Sequence, residues 1–225
     1  MGETGSDQIV EEARASLEEG DLERARDAFR RALEMRPDDA AALVDLGHLS
    51  LAAGDADEAR EHFGQALEHD PGNVEALRAL AEVNRRQGRL DDALETAVAL
   101  AEARPEDALA AIDVADLALE LGRLDAAESA FRRLRDFDDE PDHEVPYAHH
   151  GLIEIEIRRE RWRRALDLAI DATRLDRLGR TTDVLAFVVV QVFGEADRPA
   201  PDRVDVEATL AASRAEHRRL HAGTL

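Results

Sequence analysis

The stretch AAGDADEAREHFGQALEHDPGN (residues 52–73) recurs in altered form along the chain at a constant interval. Its turn glycine, Gly54, lies 34 residues after Gly20 and 34 residues before Gly88, and Gly122 follows after the same interval. A period of this length indicates an array of helical hairpins, in which each pair of antiparallel helices buries its apolar face against its neighbours. The repeat therefore predicts an all-α chain built as a solenoid.

Residue types at fixed offsets from each glycine explain the hairpin. Glycine suits the left-handed conformation in which one helix ends and the chain reverses. Alanine lets the two helices approach, phenylalanine fills the space between consecutive hairpins, and proline stops the second helix. In chain order these positions are Ala25, Phe29, Ala32 and Pro37; Ala59, Phe63, Ala66 and Pro71; Ala93, Ala97, Leu100 and Pro105; and Ala127, Phe131 and Leu134.

These residues resemble the tetratricopeptide repeat family, whose units are 34-residue helix-turn-helix hairpins. The first helices add matching leucines and small residues, namely Leu43, Leu46 and Gly47, then Leu77, Leu80 and Ala81. The resemblance covers residues 6–139 and is weaker beyond them. It implies a right-handed superhelical solenoid of about six antiparallel hairpins, with the first helix of each unit lining the concave surface.

The C-terminal part of the chain departs from this period. Pro141 and Pro146 lengthen one connection, so that Ala165 follows Ala127 by 38 residues, and Glu160 takes the place of the fifth turn glycine. We therefore divide the chain into a flexible N-terminus (1–5), four regular repeats (6–139), a fifth irregular repeat (140–179) and a divergent C-terminal hairpin (180–225). The valine-rich residues 184–193 suit a strand by propensity, but we predict a helix because a helical array has no sheet to receive a strand.

The composition limits the classes of partner. The chain has 51 acidic residues against 29 basic ones, all of them arginine, and a net charge of −22. This acidity disfavours nucleic acid and anionic lipid as partners. The absence of lysine is compatible either with a high-GC genome or with adaptation to high salt. The absence of cysteine excludes disulfides and thiolate metal sites.

The start of the sequence, MGETGS, lacks the basic and apolar regions of a secretory signal. Gly2 and Ser6 fit the loose myristoylation pattern, but we interpret this segment as a polar N-terminus. Residues 184–193 form the longest apolar stretch, and they are too short to reach the ~18 residues that span a bilayer. We expect a cytoplasmic protein without membrane insertion.

The resemblance implies a peptide-binding groove, because family members usually contact ligands through fixed positions of the first helices. An arginine cluster flanked by two apolar patches would suit an extended peptide or an amphipathic helix that carries a carboxylate. In the alternative interpretation, the arginines pair with Glu75 and Glu82 along one solvated helix face. The groove positions are Val44, His48, Leu51, Arg78, Glu82, Arg85, Arg86, Ile112, Asp116 and Leu119.

The histidines do not predict a metal site. His217 and His221 are four residues apart on the last helix, and His143, His149 and His150 cluster near the irregular connection. No HExxH pattern or cysteine accompanies them, so we expect no metal. The sequence also lacks a glycine-rich phosphate loop and a G-x-S-x-G elbow. We expect neither a cofactor nor catalysis.

The sequence thus predicts a non-catalytic scaffold or adaptor that binds a peptide or helix of a partner protein in the concave groove. Chaperone-binding members of the family carry Lys and Asn where this chain has Val10 and Arg14, which disfavours that partner. One alternative is a self-assembling structural protein that forms a homo-oligomer through Val184, Val188 and Val192 of the C-terminal hairpin. Another is a regulatory or assembly subunit of a larger complex.

Overall fold

A computed structural model of the chain describes residues 3–137 and 147–175. In these two segments it contains ten helices and no strand, which confirms the all-α prediction. The first helix begins at Glu3, before the predicted start of the first repeat at residue 6. The helices are α1 (Glu3–Glu18), α2 (Leu22–Met35), α3 (Ala40–Ala52), α4 (Ala56–His69), α5 (Val74–Arg86), α6 (Leu90–Ala103), α7 (Ala108–Glu120), α8 (Leu124–Phe137), α9 (Tyr147–Arg158) and α10 (Trp162–Leu175).

The described residues divide into two compact units, one that ends at Ala110 and one that begins at Ala111. In the first unit, α1 packs on α2, α3 on α4 and α5 on α6, while contacts of α2 with α3 and of α4 with α5 join consecutive hairpins. In the second unit, α9 packs on both α8 and α10. These contacts all join helices that follow one another in sequence, as in a repeat array.

One pair of backbone hydrogen bonds reverses the chain inside each hairpin. The N–H of Gly20 donates to the carbonyl of Leu17 (3.0 Å), and the N–H of Asp21 donates to the carbonyl of Ser16 (2.9 Å). The same pair recurs at Gly54, Gly88 and Gly122. All four glycines have φ between 69° and 83°, in the left-handed region. These bonds satisfy carbonyls at the end of the first helix, as in a Schellman motif.

The fifth hairpin makes the same turn without glycine. Glu160 has a φ of 57°, and its N–H bonds the carbonyl of Ile157 at 3.0 Å. A side chain in this conformation costs roughly 1–2 kcal/mol. The preceding residue, Arg159, forms ion pairs with Asp125 and Glu128. These pairs join the strained turn to α8.

Aspartate caps begin the second helices of the first two hairpins immediately after the turn glycines, whereas Arg89, at the N-cap of α6, forms no side-chain capping bond. The carboxylate of Asp21 accepts a hydrogen bond from the N–H of Arg24 at 3.1 Å, and that of Asp55 accepts from the N–H of Glu58 at 2.9 Å. Such a cap contributes about 1 kcal/mol to helix stability. A Gly-Asp pair thus ends one helix and starts the next within two residues.

The repeated alanine and phenylalanine positions form the core. Phe63 joins residues of α3 and α5 in one cluster that includes Val44 and Val83, so it links two hairpins, as predicted. Phe131 packs against Tyr147 of α9, with ring centroids 5.6 Å apart. The alanine five residues after each turn position is fully buried in every hairpin: Ala25, Ala59, Ala93, Ala127 and Ala165.

Two glycines inside helices should respond in opposite directions to substitution by alanine. Gly151→Ala would place a Cβ on the buried ring of Phe131, whereas a Cβ at Gly64 meets nothing within 4 Å. Overpacking lowers the free energy of unfolding by about 1–3 kcal/mol. Replacing a helical glycine by alanine without a clash raises it by about 1 kcal/mol. We expect Gly151→Ala to lower the melting temperature and Gly64→Ala to raise it in thermal unfolding followed by circular dichroism. A Gly151→Ala variant as stable as the parent chain would contradict this packing.

Candidate protein-binding surface

Exposed polar residues connect the first helices of the first unit on one side of the array. Arg14 of α1 donates from Nε and an Nη atom to Oδ2 of Asp45 on α3, both at 3.2 Å. His48 of α3 lies 3.0 Å from Glu75 of α5 through Nε2 and Oε1. We call the following residues the first-helix surface: Arg14, Asp45, His48, Glu75, Arg78, Glu82, Arg85 and Arg86.

The arginine cluster of this surface is organised around one carboxylate. Arg85 donates to Oε2 of Glu82 from Nε (3.0 Å) and an Nη atom (2.6 Å), while Nε of Arg86 donates to Oε1 at 2.6 Å. Burial raises the pKa of Glu82, but the hydrogen bonds from the two arginines outweigh burial and hold the pKa below its ordinary value. Glu82 therefore stays ionised and orients both guanidinium groups.

The pairing considered in the alternative interpretation is partly present. Glu82 forms ion pairs with two of the arginines, Arg85 and Arg86, but Glu75 pairs with His48. The third arginine, Arg78, donates to Oδ2 of Asp107 at 2.7 Å. The side chain of Arg86 is nevertheless 74% exposed. Internal pairing therefore leaves guanidinium surface accessible to a partner.

Asp107 combines two structural roles at the end of the first unit. Its Oδ1 accepts hydrogen bonds from the N–H groups of Leu109 (3.0 Å) and Ala110 (3.2 Å), at the start of α7. Its other oxygen accepts from Arg78. Burial alone would raise the pKa of Asp107. The hydrogen bonds from Arg78 and from the backbone together have the larger effect, so the pKa lies below its ordinary value.

The apolar residues predicted for the groove have little exposed surface. Val44, Ile112 and Leu119 are buried, and Leu51 is half-buried. Counting positions from the turn glycine did not separate the solvent-facing stripe of each first helix from its core-facing stripe. Asp116, in the second unit, accepts a hydrogen bond from the hydroxyl of Tyr147. Of the predicted positions, Glu82, Arg85 and Arg86 pair with one another on α5, whereas His48 pairs with Glu75 and Arg78 pairs with Asp107.

The structure shows where two of the histidines lie. His150 is buried and His149 half-buried on α9. Over residues 3–137 and 147–175, no group of three His, Asp or Glu side chains is arranged to hold a metal ion. The remaining residues considered for metal binding or self-association lie outside the described residues: His143, Val184, Val188, Val192, His217 and His221.

None of the helices in the described part of the chain combines the length and the apolar content that crossing a bilayer requires.

Comparison with protein families identifies the repeat. Two family models, both described as tetratricopeptide repeat, match the chain: one at residues 16–63 and 50–111, the other at residues 85–141. Together they cover more than half of the sequence. A search of curated proteins found no match.

Solved structures share the fold at low sequence identity. A tetratricopeptide repeat protein from Parabacteroides merdae ATCC 43184 is 20% identical, with a TM-score of 0.57 over 84% of this chain and 74% of the other. YrrB, described as a TPR protein with an unusual peptide-binding site, is 21% identical, with a TM-score of 0.58 over 77% and 87%. MamA from Desulfovibrio magneticus RS-1 is 19% identical, with a TM-score of 0.53 over 76% and 94%.

The lowered pKa of Asp107 leads to a test by titration. Because its pKa is lowered on folding, Asp107 stabilises the folded chain above the ordinary aspartate pKa, and this contribution is lost as the pH falls through the folded-state pKa. We expect Arg78→Gln to raise the pKa of Asp107, measured by carboxyl NMR titration, because burial is then opposed by fewer hydrogen bonds. Arg86→Gln is the matched control, since Arg86 pairs with Glu82. An equal pKa in the parent chain and in Arg78→Gln would refute the ion pair.

Proposed function

The chain belongs to the tetratricopeptide repeat family, and on that premise we propose that it is a non-catalytic scaffold that binds a peptide or helical segment of a partner protein on the first-helix surface. The observation that carries this proposal is the exposed arginine cluster of α5, which is oriented by Glu82. The fold that the chain shares with YrrB, a protein described as having a peptide-binding site, supports this class of activity. The proposal includes the cytoplasmic location expected from the sequence.

The chemistry of the cluster favours a carboxylate on the partner. A guanidinium group has five N–H donors, and Arg86 uses its Nε toward Glu82 while most of its side chain faces solvent. Since Glu82 already holds Arg85 and Arg86 in position, a partner carboxylate would bind with little further ordering of these side chains. Arg78, Arg85 and Arg86 place three guanidinium groups on one helix of a chain with a net charge of −22, and Asp107 and Glu82 balance part of their charge.

The proposed contact region is narrower than the groove expected from the sequence. It comprises His48, Arg78, Glu82, Arg85 and Arg86, with Leu51 at its edge, while the buried Val44, Ile112 and Leu119 are left out. A partner in this region meets mainly charged groups. We therefore propose an acidic segment of the partner as the contacting element.

Charge reversal at the cluster tests the proposal. We expect Arg85→Glu to weaken capture of the partner about 10- to 100-fold, because a hydrogen bond to a charged group contributes about 1.5–3 kcal/mol. The measurement is quantitative affinity capture from the native cell at the salt concentration of that cell. Arg31→Glu on α2 is the matched control, since Arg31 is also exposed and lies outside the first-helix surface. Equal capture by the parent chain and Arg85→Glu would exclude the arginine cluster as the contact.

Self-assembly through the C-terminal hairpin stays a prediction from the sequence, because Val184, Val188 and Val192 lie outside the described residues. An apolar face on a terminal repeat favours association, since end repeats normally present a polar outer surface. If this alternative holds, light scattering will give a mass above 24.8 kDa, and Val188→Glu will reduce it. A mass of one chain across the accessible concentration range would eliminate it.

A role as a regulatory or assembly subunit differs from the main proposal only in the identity of the partner.

A further inference from the structure

A second groove lies between the second and third hairpins, with a volume of about 500 Å³. Helices α4 and α6 form its walls and α5 its floor. Leu67, Leu80 and Ala99 supply apolar lining, and the charged residues of the lining are three carboxylates, Glu68, Asp92 and Glu95, and one guanidinium group, that of Arg60. The groove is open to solvent, and its lining combines apolar side chains with charged and polar ones.

This groove is separate from the first-helix surface. On α5 it is lined by Leu77, Leu80 and Asn84, whereas the arginine cluster consists of Arg78, Arg85 and Arg86. Since successive residues of a helix are about 100° apart, the two sets point in directions roughly 150° apart. A ligand in the groove would therefore leave the arginine cluster accessible.

Gly64 keeps the groove open. Ten residues after the turn glycine, the other regular hairpins carry Arg30, Val98 and Arg132, whereas the second hairpin carries Gly64. Gly64 lines the groove, and a Cβ placed on it would meet nothing within 4 Å. Glycine is unfavourable inside a helix relative to these residues. Its position here removes a side chain from the wall of the groove.

Asn84 places an unsatisfied acceptor at the floor. The residue is 3% exposed, and its Oδ1 has no hydrogen-bond partner among the residues that the structure describes. At the same repeat position, the hydroxyl of Ser16 bonds the carbonyl of Glu12, and that of Ser50 bonds the carbonyl of Leu46 and the carboxylate of Glu58. A buried acceptor without a donor is unfavourable.

Neighbouring side chains in the groove do not supply the missing donor. Asp92 takes the repeat position of Glu58, and an ionised carboxylate only accepts hydrogen bonds. The nearby Thr96 hydroxyl donates to the carbonyl of Asp92 at 2.7 Å. On the wall, Nε of Arg60 is buried and has no acceptor within the described part of the chain. Two residues that line the groove therefore each carry a buried polar atom without a hydrogen-bond partner in the described part of the chain, an acceptor on Asn84 and a donor on Arg60.

We propose that this groove binds a short peptide segment in which a basic residue stands next to apolar ones. A peptide backbone carries groups complementary to both atoms, because an N–H can donate to Asn84 and a carbonyl can accept from Arg60. An apolar side chain of the peptide packs on Leu67 and Leu80. Its arginine or lysine faces the carboxylates of Asp92 and Glu95, and the excess of carboxylates selects the basic residue.

The test uses acetyl-Leu-Arg-Leu-amide as the probe and the full chain as the receptor. Backbone and side-chain amide signals of the chain are followed by NMR during titration up to millimolar probe. We expect saturable shifts at the Gly64 N–H and at the Asn84 side-chain amide. Acetyl-Leu-Glu-Leu-amide and acetyl-Gly-Arg-Gly-amide should each bind at least tenfold more weakly, since one lacks the charge and the other the apolar side chains.

Three variants separate the groove from general attraction to an acidic chain. Gly64→Leu should raise the dissociation constant at least tenfold by filling the groove, with no loss of melting temperature. Asn84→Ser should weaken binding severalfold, because a serine hydroxyl can bond its own helix as Ser16 does. Arg85→Glu should leave probe binding unchanged, so that failure of this inference and failure of the proposed function are distinguished.

The proposal is overturned by any of three results. These are the absence of shifts with the Leu-Arg-Leu probe, unchanged binding in Gly64→Leu, and equal binding of the Gly-Arg-Gly probe.

Discussion

The left-handed reversal at the end of each first helix is the constraint on which the rest of the structure depends. It closes the helix with two hydrogen bonds, so the direction of each hairpin is set before any contact with a neighbour. The buried alanines that follow then let the helices approach closely. With spacing and direction set locally, consecutive hairpins can stack through nearest-neighbour contacts alone.

This construction gives each hairpin a first-helix side and a second-helix side with different chemistry. On the first-helix side, charged residues of α1, α3 and α5 pair from one hairpin to the next, as Arg14 does with Asp45. On the other side, the space between α4 and α6 is set by the side chains that fill it, and Gly64 leaves it open. A scaffold of this kind can therefore offer separate surfaces without changing its framework.

For the described residues, the sequence was sufficient to predict the helices, the turns and the buried alanine and phenylalanine positions, because each depends on residues close in the chain. It could not assign Val44, Ile112 and Leu119 to the core, since burial is decided by which neighbour covers a given stripe of the helix. The pairing of Arg78 with Asp107 was missed for the same reason, as the two residues are 29 positions apart. The groove beside Asn84 corresponds to one feature of the sequence, Gly64, which stands where the other regular hairpins carry larger residues. Its meaning depends on which helices face that position.

The turn at Glu160 keeps the left-handed backbone conformation of the other turns although a glutamate takes the place of glycine. Glu160 repeats the hydrogen bonds of the four glycine turns, with Arg159 holding the turn to α8. The family models end at residue 141, yet α9 and α10 form another hairpin beyond them. Recognition by residue identity therefore sets a lower bound on the length of such an array. The number of units is more reliably counted from the recurring left-handed φ angle at each turn than from the residue types of the repeat.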